Sequence, residues 1–161
     1  MAAEYSANAA QTVPTNQAVI FSAGPFPCNQ GMIFHRPESG NFLLASNAPE
    51  SCGCSCGCRR RIYETVYGVS FHANIAIPEG GALGEIQLSV AIDGDTDPSS
   101  TMLFTPTVVA DDFGNVGAEI LVRVPSLCGC ESVSVRNTSD QPILVQNANI
   151  VFTYEGVRRV F

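Results

Sequence analysis

The chain has 161 residues, which is the size of one domain and enough to bury roughly 70% of the surface that its unfolded chain exposes. Apolar residues make up 45% of the chain and charged residues only 14%, against the roughly 25% typical of soluble domains. So poorly charged a chain predicts that other subunits cover part of its surface. The net charge is −7 and all eight basic residues are arginines, so nucleic-acid binding, which requires clustered cations, is not expected.

The first residues of the chain are small and polar. They lack the basic and apolar regions of a signal peptide, so we expect synthesis in a cytoplasm. No apolar run approaches the roughly 20 residues that span a bilayer, and no membrane partner is expected. Residues 1–16 are predicted to form an arm without a core of its own, which stays disordered or docks on a neighbour.

Residues 17–155 carry the pattern of a β-sandwich. Apolar and polar residues alternate along the predicted strand 61–77, which is the period of a strand with one face in a core. Further strands are predicted at 17–22, 31–36, 41–45, 85–93, 101–109, 118–124, 131–137 and 143–154. No segment shows the 3.6-residue period of an amphipathic helix. About eight or nine strands separated by turn signals predict an all-β, antiparallel two-sheet jelly roll, followed by a short tail at 156–161.

The last strand, 143–154, has apolar residues at both parities. A strand that is apolar on both faces must be covered on both, and a sandwich core covers only one. We therefore predict that the second face contacts another subunit, with polar side chains hydrogen-bonding across the contact. The predicted interface residues are Leu144, Gln146, Asn147, Asn149, Ile150, Phe152 and Tyr154. The alternative is a strand that the chain's own loops cover.

Seven cysteines form the one conspicuous chemical cluster: Cys28, Cys52, Cys54, Cys56, Cys58, Cys128 and Cys130. Paired Cys-x-Cys spacing can supply four thiolates to a structural zinc ion, although Cys-x₂-Cys is the usual spacing. Disulfides between segments or between subunits are the second interpretation. Because the number of cysteines is odd, at least one thiol must be free or paired outside the chain. Reduced thiols in a glycine-rich loop are the third.

Other motifs point to turns and not to chemistry. Asp93-Gly94-Asp95 lacks the later positions of a calcium loop and is predicted to form a hairpin turn. Asn137 begins a glycosylation spacing, which is also predicted to be a turn. His35 and His72, the two histidines, have no neighbours in sequence that would mark a catalytic dyad. No phosphate-binding loop, nucleophile elbow or paired-carboxylate motif is present, so an enzyme is not expected and no cofactor beyond the possible zinc is predicted.

Several stretches resemble small structural proteins of phages and prophages from gut Firmicutes. More distantly, the chain is similar to the TNF-like C-terminal heads of spore-surface collagen-like glycoproteins. The stretches that carry the resemblance are Phe71–Gly81, Leu88–Gly94, Val135–Ser139 and Ile143–Ile150, together with Cys28, His35-Arg36 and Cys128. The resemblance implies a trimeric TNF-like jelly roll on a particle surface. The Cys52–Cys58 insert departs from that pattern, and the chain has no collagen-like stem.

These observations lead us to expect a homotrimeric decoration or cement protein on the capsid surface of a virion, made in a bacterial cytoplasm. Residues 1–16 would dock on the major capsid protein or on a neighbouring subunit through main-chain pairing. Two other functions stay open. One is a disulfide-linked subunit of an extracellular fibre or spore appendage. The other is a glycan-binding or receptor-binding module, although 8% aromatic residues and no tryptophan do not favour a stacking platform for sugars.

Overall fold

The computed structural model describes residues 1–28, 31–48, 63–126 and 130–160. These residues form two six-stranded sheets with antiparallel pairing, which confirms the predicted all-β sandwich. The strands are β1 (Ala2–Ala7), β2 (Gln11–Val13), β3 (Ala23–Phe26), β4 (Ile33–His35), β5 (Phe42–Ala45), β6 (Tyr63–Ala76), β7 (Ile86–Ile92), β8 (Asp95–Thr96), β9 (Met102–Phe104), β10 (Gly114–Pro125), β11 (Cys130–Asn137) and β12 (Ile143–Arg159). No helix among the described residues has the length and apolar character to cross a membrane.

The two sheets have a simple order. Sheet A runs β10, β6, β12, β1, β3, with β2 also paired to β12. Sheet B runs β4, β5, β11, β7, β8, with β9 also paired to β7. The alternation of apolar residues along these strands gives each sheet one face towards a shared core. Phe42 of sheet B and Phe152 of sheet A meet in that core with ring centroids 4.9 Å apart, and neither ring is exposed.

The N-terminal segment belongs to the sandwich, so the predicted arm at 1–16 is wrong. Strand β1 pairs with β12 from Ala2 opposite Thr153 to Ala7 opposite Ala148, and β2 pairs with the beginning of β12. Its side chains Ala3, Tyr5 and Ala7 are buried in the core. Small residues give a weak apolar pattern, and the strand is held by a partner almost 150 residues away in sequence. Because β1 is paired on both sides, its main chain is not available for strand pairing with another protein.

Strand β12 carries a β-bulge that corrects the prediction made for its two faces. Its register against β6 shifts between Gln146 and Asn149, and Asn147 has a positive φ of 52°. Because one extra residue reverses the alternation, the core face passes from odd-numbered to even-numbered positions. The residues buried on this single face are Ile143, Val145, Ala148, Ile150 and Phe152. The interface role predicted for Ile150 and Phe152 is therefore wrong, because both lie in the chain's own core.

Two predicted turns are confirmed. Asp93 and Gly94 connect β7 to β8 with φ values of 50° and 89°, the left-handed pair that a tight hairpin requires. Asn137 is fully buried at the end of β11, where its amide donates to the carbonyl oxygens of Val13 and Gln141 at 2.9 Å each. Its side-chain oxygen accepts from the backbone N–H of Ser139. The side chain thus fastens a turn instead of offering a site for a glycan.

Candidate assembly surface and edge cleft

The outer face of sheet A is the broadest surface that the long strands create. Cross-strand pairing aligns its side chains in rows that run across β10, β6, β12 and β1. The middle row is Glu119, Ser70, Val151 and Glu4. The row on one side of it is Leu121, Gly68, Thr153 and Ala2. The row on the other side is Gly117, His72, Asn149 and Ser6. We call these three rows the assembly face. Small and uncharged side chains occupy its centre, so another flat surface can approach the backbone closely.

Leu121 is the large apolar side chain of the assembly face, and 66% of its surface is exposed. It lies opposite Gly68 on β6, which leaves the leucine without a bulky neighbour across the strand. Leu121 was not among the predicted interface residues, although it stands between the polar residues Glu119 and Arg123 on the solvent-facing side of an alternating strand. That break in the pattern was the available signal.

The seven predicted interface residues are divided among three environments. Leu144, Gln146 and Asn149 project from the outer face of sheet A, and Asn147 is exposed at the bulge. Tyr154 packs edge-on against Tyr67 and donates its hydroxyl to the Asn47 side chain at 3.2 Å. Ile150 and Phe152 lie inside the core. The outer face therefore retains Leu144 and the polar members of the predicted set, and β10 adds the exposed Leu121.

Hydrogen bonds and ion pairs already engage part of the polar margin. Asn149 donates to the Glu4 carboxylate at 2.6 Å within the chain, which engages one of the two N–H groups of this amide. Beyond the rows, Glu64 pairs with Arg158 and lies 3.8 Å from Arg123. His72 is exposed in the assembly face. The margin is charged, and the Glu155 carboxylate also lies over Gly68, in the same row as Leu121.

Two of the seven cysteines lie in the described part of the chain. Cys28 is half-buried with its sulfur 3.3 Å from that of Met1, Cys130 is exposed, and both are free thiols. Cys52, Cys54, Cys56, Cys58 and Cys128 lie outside the described residues. Within residues 1–28, 31–48, 63–126 and 130–160, no three His, Cys, Asp or Glu side chains are close enough to hold a metal ion. Zinc or disulfide at the cluster stays a prediction.

A cleft of about 850 Å³ opens between β3, the last strand of sheet A, and β4, the last strand of sheet B. Its walls include Tyr5, His35, Phe34 and Arg36. The His35 ring stacks on Phe42 with a centroid separation of 4.4 Å, and its Nε2 lies 3.0 Å from the carbonyl oxygen of Ser39. Burial raises the pKa of Tyr5, so its phenol stays neutral. This volume is typical of ligand pockets.

A carboxyl pair lies beside β11, away from both surfaces described above. A hydrogen bond with Asp93, together with partial burial and the charge of Asp93, raises the pKa of Glu131 to about 7. The hydrogen bond from Glu131 and the N–H of Ser132, 2.7 Å from the Asp93 carboxylate, lower the pKa of Asp93. The pKa values of the two groups are therefore displaced in opposite directions.

Comparison with known proteins identifies the fold. No protein-family model and no curated protein matches the chain. Among solved structures, the globular domain of zebrafish complement 1qA protein aligns with a TM-score of 0.56 at 13% identity, over 99% of this chain and 97% of that one. The Eiger TNF from S. frugiperda aligns with a TM-score of 0.54 at 12% identity, over 96% and 91%. These similarities confirm the predicted TNF-like jelly roll.

A third similarity is much weaker. A family 35 carbohydrate-binding module from Clostridium thermocellum aligns over 88% of this chain with a TM-score of 0.32 at 13% identity. That score does not indicate a shared fold in detail. The glycan-binding alternative therefore rests on the sequence alone.

Proposed function

We propose that this protein is a non-enzymatic structural subunit that associates as a homotrimer through the assembly face. The exposed Leu121 at the edge of a flat, small-residue surface is the observation that carries this proposal. Burying one leucine contributes about 1.5–3 kcal/mol, and a trimer buries three of them. Ser70 and Val151 at the centre carry no charge, so three copies can approach there, while the Glu155 carboxylate over Gly68 requires a partner in the contact. A contact of ordinary size, roughly 1,200–2,000 Å², is within reach of strands this long.

The biological setting follows from the sequence resemblance to phage and prophage structural proteins. We propose that the trimer decorates or cements the capsid surface of a virion. The low content of charged residues and the assembly face are both compatible with a protein that covers other subunits. Strand β1 does not attach by main-chain pairing, because it is paired on both sides within the sandwich.

Sedimentation equilibrium of a charge-bearing variant tests the trimer. We expect Leu121→Arg to convert the trimer into monomers, because three arginines cannot be buried together without partners. The matched control is Leu103→Arg, since Leu103 is 53% exposed on β9 of sheet B and should leave the trimer intact. Circular dichroism establishes that both variants fold. A wild-type monomer at micromolar concentration, or an unchanged Leu121→Arg trimer, would refute the role of the assembly face.

The virion setting needs a separate measurement. Particles purified from the producing bacterium should contain this chain in amounts comparable with the major capsid protein, measured by quantitative mass spectrometry. Immunogold labelling should place it on the outer surface of the particle. Its absence from purified particles would reject the virion role while leaving the trimer untouched.

A further inference from the structure

The cleft between β3 and β4 has a free strand edge along one wall. Strand β4 is the last strand of sheet B and pairs only with β5. The backbone N–H of Ala45 donates to the carbonyl oxygen of Met32 at 2.8 Å, which makes Ile33 and Leu44 a non-hydrogen-bonded pair. By alternation, His35 and Phe42 form the next such pair. The N–H and C=O groups of Ile33 and His35 consequently point away from β5.

These four backbone groups have no partner among the described residues. They are spaced two residues apart, as along any strand edge that accepts another strand. The buried side chains of Ile33 and Phe42 hold this edge in place, because they fasten the β4–β5 hairpin to the core. The edge is therefore built before any partner arrives, which reduces the entropy lost on binding.

The side chains along the same edge have a definite chemical character. Phe34 is 54% exposed and lies opposite Leu43, which is 44% exposed, so the pair forms an apolar step on the outer face of sheet B. Arg36, one residue beyond the end of β4, lines the same cleft as Phe34. Within the described part of the chain its guanidinium makes no hydrogen bond or ion pair. This guanidinium is a local ion-pair partner for a carboxylate on a bound segment, and it must act against the overall net charge of −7.

We infer that this edge binds an extended acidic segment of a partner protein, which pairs with β4 as an added strand. Main-chain hydrogen bonds to Ile33 and His35 would hold the segment. An Asp or Glu on it would meet Arg36, and an apolar residue two positions away would cover Phe34, because alternate residues of a strand share one face. The inference goes beyond the homotrimer, since the β4 edge belongs to sheet B and the assembly face to sheet A.

Fluorescence anisotropy with a fluorescein-labelled probe peptide, Thr-Glu-Thr-Val-Thr-Thr, tests the inference. We expect saturable binding, weakened at least about tenfold when the probe carries Lys in place of Glu. Arg36→Glu should reverse that preference, weakening the acidic probe and restoring the lysine probe. The control is Arg123→Glu, whose side chain is 64% exposed on sheet A and which should leave both affinities unchanged.

A second probe tests main-chain pairing. Methylation of the peptide nitrogens on the side that faces β4 should abolish binding, while methylation on the opposite side should be tolerated. The inference is overturned if the acidic probe does not bind, if Arg36→Glu leaves the charge preference unchanged, or if both methylated probes bind alike. Light scattering on the same samples reports the trimer independently. Self-association lost with Arg36→Glu would instead assign the edge to a second copy and overturn a partner peptide as its occupant.

Discussion

Sheet A and sheet B differ in the length of their strands and in what each offers to other molecules. β6, β10 and β12 of sheet A have 14, 12 and 17 residues, whereas β11, the longest strand of sheet B, has 8. Long strands in register build a continuous outer face, which suits contact between copies. Short strands leave ends and edges open, which suits capture of a single segment. The comparison indicates that one sandwich can keep assembly and partner binding on separate sheets.

The largest effect should come from removing the β12 bulge, which sets the register of sheet A. Deletion of Asn147 returns the strand to simple alternation, so its two halves can no longer both face the core. Either Ile143 and Val145 or the buried residues after the bulge would then point away from the core. Exposing two such side chains costs about 3–6 kcal/mol, so we expect loss of the folded state in chemical denaturation. Asn147→Gly is the control, because glycine accepts the positive φ at 52° without strain. A deletion variant with the stability of the wild type would show that the bulge does not set the register of sheet A.

Phe152→Ala separates the core of sheet A from its outer face. Phe152 is fully buried against Phe42, so we expect the free energy of unfolding to fall by about 4 kcal/mol. Leu103→Ala, at an exposed position of sheet B, should change it by less than about 0.5 kcal/mol. Urea denaturation followed by circular dichroism measures both. If Phe152→Ala weakened association but not stability, Phe152 would lie at a subunit contact after all.

Asn137→Ala tests the connection between the sheets. Asn137 ends β11 of sheet B, and its amide donates to Val13 in β2 of sheet A. Removing it leaves buried backbone groups without partners, which should cost about 2–3 kcal/mol. Asn74→Ala is the matched control, because within the described part of the chain the Asn74 side chain bonds only to that of Asn115, at 3.1 Å on the outer face. Equal stabilities of the two variants would show that Asn137 does not fasten the sheets.

The sequence was sufficient for the fold class and for strands whose alternation is uninterrupted. The predicted strand 85–93 corresponds to Ile86–Ile92, and 131–137 to Cys130–Asn137. Alternation failed in β12 because a bulge depends on the register against β6, which is a property of the pair and not of one segment. It failed in β1 because alanine and serine give little apolar contrast, and the strand forms only once β12 is in place.

The surfaces were harder to predict than the strands. The edge cleft joins the end of sheet A to the end of sheet B, and only the strand order brings Tyr5 close to His35, at 4.8 Å between ring centroids. The local sequence around either residue does not predict that the two rings lie close together. Leu121 differs, because an apolar residue on a wet face is visible in the sequence itself.

The smallest effect is a pH dependence confined to sheet B. The pKa of Glu131 is raised to about 7, so its contribution to stability is fully present below its unfolded value of 4.5 and is lost as the pH rises through 7. The pKa of Asp93 is lowered, so its contribution is present above 3.8 and is lost only in acid. Between pH 5 and 8 we therefore expect Glu131→Gln to lose less stability than the wild type. Solvent screening limits the difference to about 0.5 kcal/mol. Thermal unfolding of both proteins across this window measures it. If the unfolding temperatures of the two proteins changed with pH in parallel, the pKa of Glu131 would not be raised in the folded state.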